Sequence, residues 1–333
     1  MKRLALVAAL AAACVLSAVA SPNADSDGVG RFPLEGLGAS VFYDAPAPLS
    51  QGSACEVAVV LVHGWGGGLE RAAEQAPMMR ALAEATPEGK TPPYVVAPLF
   101  PRADLVKKLG LESRGLAKWN ASWQKDLGIP CKAEDDWRGG GDAVGTSVSS
   151  YDVVDRIFAA LADRALYPYL KRVVLTGFSA GGQFAGRYAA VGKGRVRDGV
   201  ELVYAAMAPS TELRFEPDVK WHYGLKGRPR YSAALTEREI MANLCSRRVW
   251  RGCGTLDVRS KPYTSLDMSA EAMAQGTNRF MRFRSFEQYL RKYPAWAKNV
   301  SFHAFEGIGH NTVAAHSDPA FVRFVLAAAA DAR

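Results

Sequence analysis

The stretch GFSAGG, residues 177–182, sets a single hydroxyl among very small side chains. A β-branched run, RVVLT (172–176), precedes it, and an Ala/Gly-rich segment of helical character follows. A sharp strand-to-helix turn forces its central residue into a strained backbone conformation and crowds the positions two residues away on each side. Only glycine-sized residues fit there, which is the physical content of the G-x-S-x-G nucleophile elbow. Gly177 and Gly181 are the structural glycines of that pattern, and Ser179 is the candidate nucleophile. The bland alternative is an idle turn that happens to contain a serine.

A serine hydroxyl is a weak nucleophile at neutral pH, so it needs a base held by an orienting acid. In this setting the partners are expected in the order serine, acid, histidine. Of the five histidines (63, 222, 303, 310 and 316), His310 in EGIGHN best fits a loop leaving a final strand. His316 falls in the terminal helical region, His303 is mid-strand, and His222 comes too early in the chain. For the acid, RRVWRGCGTLDV (247–258) reads as a strand, a glycine turn and then Asp257; Asp218 and Asp267 are its rivals. A developing oxyanion also needs preorganised N–H donors, each contributing on the order of a few kcal/mol. Ala180, at the positive end of the following helix, supplies one. The loop HGWGGG (63–68) supplies the other, from Trp65 with Gly66 as the alternative, and His63 reads as an anchor of that loop.

These residues must be held by regular elements. EVAVVLV (56–62) and PYVVAPLFP (93–101) read as buried strands, and LERAAEQAPMMRALAEA (69–85) as a helix between them. In SSYDVVDRIFAALADRAL (149–166) a serine start with Asp152, then Val153, Ile157 and Leu161 at four-residue steps, predicts an amphipathic helix. Further strands are expected at 172–179, 200–210, 247–254 and 299–307, with a last helix through Phe321–Ala330. Apolar strands alternating with helices make an α/β fold: a mostly parallel, doubly wound sheet covered on both faces. Residues 102–148 break the alternation. They carry Trp119, Trp123 and Trp137 and the glycines Gly140 and Gly141, and read either as a lid or aromatic rim or as a simply packed insertion.

The N-terminus MKRLALVAALAAACVLSAVA has two basic residues, an apolar stretch and a small-x-small end at Ala18–Ala20, the pattern of a cleaved signal peptide over 1–20. Lipid attachment at Cys14 is opposed by Ala11 and by the apolar residues that continue past the cysteine. Residues 21–333 then form one catalytic domain, secreted or periplasmic, with no stable membrane span. Loss of Lys2 and Arg3 lowers the formal charge from +8 to +6. The basic residues are scattered among acids, without the dense patch a nucleic-acid footprint requires. Neither CxxC nor HExxH occurs, so no metal and no organic cofactor is indicated. Four cysteines remain in an exported chain, an even set that fits two disulfides. Cys245 and Cys253 are close in sequence and are expected to pair, which leaves Cys55 for Cys131.

In HGWGGG, GFSAGG, the Asp257 turn and GIGH, over roughly residues 56–330, the chain resembles the α/β-hydrolase superfamily. The elbow GFSAGG looks like those of secreted esterases and polyester depolymerases, and the segments VSSYDVVDRIFAALADR, GFSAGGQFAGRYA and AMAQGTNRF resemble a group of exported microbial α/β hydrolases that mostly lack an assigned substrate. The resemblance implies a Ser–Asp–His triad on Ser179, Asp257 and His310, and a small-molecule or polymeric ester as substrate. Phe178 departs from many relatives, which carry histidine beside the nucleophile. The expected function is ester hydrolysis through an acyl-enzyme; the alternatives are an amidase or peptidase with the same triad, and a catalytically silent binding protein.

Overall fold

A computed structural model describes residues 29–34, 39–65, 71–108, 110, 115–120, 135–259 and 266–327. The expected leader, Gly66–Gly68, Trp123 and Cys131 lie outside the described residues. Six strands run parallel: β3 (Val57–Val62), β4 (Tyr94–Pro98), β5 (Arg172–Phe178), β6 (Glu201–Met207), β7 (Val249–Gly254) and β8 (Val300–Phe305). An antiparallel hairpin, β1 (Val29–Leu34) and β2 (Ala39–Asp44), joins the edge through β4. The order across the eight-stranded sheet is β1-β2-β4-β3-β5-β6-β7-β8. The chain leaves β3 toward β4 on one side and returns to β5 on the other. That reversal makes the carboxyl ends of β3 and β5 the switch point, where open α/β sheets leave a crevice.

The near-continuous apolar strands follow from burial on both faces. Ala58, Val60, Val173 and Leu175 point into one core, and Val59, Leu61, Val174 and Val203 into the other. Each valine or leucine so withdrawn from water contributes about 1.5–3 kcal/mol before entropy is counted. The helices divide accordingly. α1 (Arg71–Ala85) packs on the second core through Met78 and Leu82. α2 (Ser150–Leu161) and α3 (Ala180–Val191) pack on the first, α2 with Val153, Val154, Ile157, Phe158 and Leu161 buried. The start of α2 is a capping box: Ser149 accepts from the helix backbone, and its own N–H donates to Asp152 at 2.8 Å. α4 (Glu237–Ser246) joins α2 and α3, whereas α5 (Arg279–Tyr289) gives Phe283 to one core and Phe286 to the other. α6 (Thr312–His316) and α7 (Pro319–Leu326) close the second face. No described helix is long and apolar enough to cross a membrane.

The expected disulfides are corrected here. Cys55, Cys245 and Cys253 carry free thiols, so Cys245 and Cys253 are not bonded to each other and Cys55 is not bonded to Cys131. Closeness in sequence misleads because the sheet intervenes: Cys245, on α4, packs on the first core, and Cys253, on β7, lies in the second. Two tryptophans of the insertion are described, and both belong to the core. Trp119 and Trp137 are fully buried, Trp119 edge-on to Phe100 at 5.2 Å and Trp137 stacked on it at 5.8 Å. Gly140 and Gly141 are sites of close packing rather than of flexibility: a Cβ on Gly140 would meet the Tyr151 ring at 2.5 Å, and one on Gly141 the Asp135 backbone at 2.3 Å.

Candidate active site

β5 ends at Phe178 and α3 begins at Ala180, so Ser179 alone makes the turn. Its φ of 57° and ψ of −109° lie in a region costly for a residue with a Cβ, on the order of 1–3 kcal/mol. The surroundings hold it there. The Ser179 N–H donates to the Met207 carbonyl of β6 at 2.8 Å, and its carbonyl accepts the Gln183 N–H at 3.0 Å. The glycines are required by contact: a Cβ on Gly181 would stand 2.0 Å from the Val62 carbonyl oxygen, and one on Gly177 2.5 Å from Gly181 itself. Gly182 obeys the same rule against the Met207 carbonyl, at 2.3 Å. The helix start is thus pressed between the ends of β3 and β6, with the Ser179 side chain left partly exposed. The Ala180 N–H stands in the first turn of α3, where no earlier turn offers it a carbonyl.

The loop after β3 runs alongside. His63 is fully buried, its Nδ1 donating to the Gly64 carbonyl at 2.7 Å and its Nε2 accepting the Phe100 N–H at 3.0 Å. Both ring nitrogens are thereby engaged, which makes His63 the anchor the sequence suggests. The buried Glu74 of α1 accepts the Gly64 N–H at 3.2 Å. Two guanidinium groups lie over the Trp65 ring, Arg102 at 4.6 Å and Arg138 at 4.8 Å from its centroid, and the Trp65 carbonyl accepts from Arg102 at 3.3 Å. Arg138 in turn is held by the fully buried Asp136, from Nε at 2.9 Å.

Asp257 and His310 leave the ends of β7 and β8. Gly254 lets the two loops touch, since a Cβ there would meet the Ile308 carbonyl oxygen at 2.1 Å. Leu256 N–H donates to the same carbonyl at 2.9 Å, and Asp257 N–H turns back to Gly254 at 3.0 Å. The result is a short contact: His310 Nδ1 donates to Asp257 Oδ2 at 2.6 Å, with the carboxylate 1% and the imidazole 26% exposed. Burial lowers the His310 pKa below its ordinary value, and the Arg279 cation adds to this; the hydrogen bond and charge of Asp257 oppose both. The Phe178 ring, 4% exposed, lies 4.6 Å from the imidazole and tucks beneath it.

The competing residues are otherwise occupied. Asp267 accepts from the Tyr223 hydroxyl at 2.7 Å, and Asp218 sits in an exposed turn. His316 is fully buried beside the Thr312 hydroxyl at 3.2 Å. His303 stacks on Trp250 on β7, and His222 is buried with Asp136, Arg138 and Arg187 among its charged neighbours. Sequence reasoning missed Glu74, Arg102, Arg138 and Arg279, whose spacing carries no signal of what they meet across the fold.

The fold and site can be set beside known proteins. No family model and no curated protein matches the chain. Among solved structures, it is similar to poly(aspartic acid) hydrolase-1 from Sphingomonas sp. KT-1, with a TM-score of 0.59, 19% identity, and coverage of 90% of this chain and 98% of that one. It is likewise similar to LpqC, a poly(3-hydroxybutyrate) depolymerase from Bordetella parapertussis, with a TM-score of 0.60, 18% identity, and coverage of 90% and 94%. At such identity the likeness speaks for architecture alone, and it agrees with the parallel sheet, the strand order and the elbow after β5: the chain has the α/β-hydrolase fold.

Proposed function

We propose that the protein is an exported serine hydrolase that cleaves carboxylic esters through an acyl-enzyme. The observation that carries this reading is the 2.6 Å Asp257–His310 hydrogen bond, made at adjacent strand ends beside the strained Ser179 elbow. With Nδ1 committed to Asp257, the His310 Nε2 is the atom available to take the Ser179 proton. Oγ adds to the ester carbonyl, and the oxyanion is received by the N–H groups of Ala180 and Trp65. His310 then returns the proton to the departing alkoxide, releasing the alcohol and leaving Ser179 acylated. A water molecule, deprotonated by the same imidazole, adds to the acyl carbonyl, and collapse frees the acid and restores the serine. Asp257 keeps the imidazole in the required tautomer throughout and stabilises the imidazolium between steps. Export rests on the leader expected over residues 1–20.

The test is covalent labelling by a fluorophosphonate. The intact protein is expected to take up one equivalent, and Ser179→Ala none, with hydrolysis of p-nitrophenyl esters falling by at least about a thousandfold. Labelling that is absent, or equal in the two proteins, removes the serine-hydrolase reading. Anilides cleaved as efficiently as the matching esters would move the substrate class to amides.

A further inference from the structure

We infer that Arg279 is a positioning residue of the Asp257–His310 pair, an extension that rests on the triad reading above. Three observations converge on it. First, the Arg279 side chain is completely buried, and its Nη1 lies 3.8 Å from Asp257 Oδ1. His310 takes Oδ2, and Oδ1 accepts no hydrogen bond from the described residues. A buried carboxylate oxygen without a hydrogen-bond donor is costly, and the Arg279 charge compensates it.

Second, Arg279 is the first residue of α5, where the helix dipole disfavours a cation. Helix stability therefore gives no reason for arginine at this position, and Asp257 does. Third, the same turn grips the acid's backbone: the Phe280 N–H donates to the Asp257 carbonyl at 3.2 Å. The start of α5 thus holds Asp257 twice, by its main chain and by its charge. Further along the helix, the Arg282 guanidinium caps the carbonyls of Ser210, Asp267 and Gly276, which ties α5 to the loops beside the site.

The consequence for His310 is electrostatic. The Arg279 cation beside the pair disfavours a second positive charge on the imidazole, so the base stays neutral to lower pH. Other titratable groups nearby are the buried Cys253 thiol, which senses both Asp257 and Arg279, and His316, on the far side of Phe178; Glu306 lies at the exposed end of β8. None of these supplies a cation to Oδ1 at neutral pH, because burial holds His316 neutral.

The experiment follows His310 directly, by NMR titration of histidine-labelled protein, with the signal assigned by its loss in His310→Asn. Arg279→Met is expected to raise the His310 midpoint by roughly one pH unit. The acid limb of the fluorophosphonate labelling rate should move up with it, and Arg279→Lys should return most of the shift. Should the methionine variant not fold, Arg279→Gln against Arg279→Lys makes the same comparison of charge lost with charge kept. A folded, charge-deleted variant whose His310 titrates at the wild-type midpoint overturns the inference. The titration needs no turnover, so the two readings can fail separately. A protein inert to the probe in every form sinks the triad reading, while the midpoint still decides the coupling of Arg279 to His310.

Discussion

At the scale of single residues, the elbow owes its shape to what its neighbours leave no room for. Gly181 separates the start of α3 from the last carbonyl of β3, where even one methyl group would overlap Val62. Gly181→Ala is accordingly expected to destabilise the protein by about 1–3 kcal/mol, since an overpacked core must shift its backbone. Activity should fall further than stability, because the displaced turn carries both Ser179 and the Ala180 N–H. A urea midpoint measured beside ester turnover checks this, and a variant with unchanged midpoint and turnover would refute it. Phe178, whose effect beside Ser179 could not be read from the sequence, faces away from solvent and packs against the His310 ring. It belongs to the second core as much as to the site. Ser179, Gly177 and Gly181 were legible because local backbone geometry alone dictates them. Arg279 was not, because its partner is 22 positions away and nothing in the spacing marks an ion pair.

At the scale of elements, strands and helices with full apolar periodicity were readable, and those built on buried polar groups were not. The helix over 150–161 and the strands carrying Ser179 and Asp257 follow their patterns closely. α5 escapes pattern reading because Arg279 and Arg282 occupy buried positions, so its sequence looks polar where it is covered. α4 buries only Ile240 and Leu244, and the β1–β2 hairpin is short, so both lack a strong signal. α6 ends on a histidine that carries a measurable cost. Burial pushes His316 down to about 4, so the folded protein resists a proton that the unfolded chain takes up near 6.5. Between those values the unfolded state binds more protons, and stability must fall as the pH is lowered through this window. The loss attributable to His316 is at most on the order of 3 kcal/mol. The buried His222, likewise held toward its neutral form by burial, acts in the same direction. Urea unfolding at pH 7 and pH 4.5 should show the decline, and His316→Gln should flatten it. An unaltered slope in that variant would assign the decline to other groups.

At the scale of the whole molecule, the sheet is a partition with a separate core on each side. That partition decides the chemistry of the cysteines. Cys253 and Cys55 are buried, with thiols pushed above their ordinary pKa by burial, and Cys245 is part-exposed at the end of α4. In the native protein a thiol reagent is therefore expected to modify Cys245 readily, and Cys55 and Cys253 only after unfolding. Peptide mapping after labelling with and without denaturant would check this. A Cys245–Cys253 bridge in the unreduced digest would contradict it. The same architecture gathers the site. Trp65, Ser179, Asp257 and His310 follow four parallel strands, and in a parallel sheet all four carboxyl ends lie on one edge.

What the sequence determined by itself was the set of candidate groups and their order along the chain. Turn sterics, apolar alternation and helix capping are local rules, and each is satisfied by neighbours within a few residues. The tertiary structure alone decided which distant groups meet. It brought Asp257 to His310 across 53 positions, chose Asp257 over Asp218 and Asp267, set Arg279 behind the acid, and put Cys245 and Cys253 on opposite sides of the sheet. Those outcomes depend on strand order and on which face each side chain points to, and both arise only when the whole sheet is assembled.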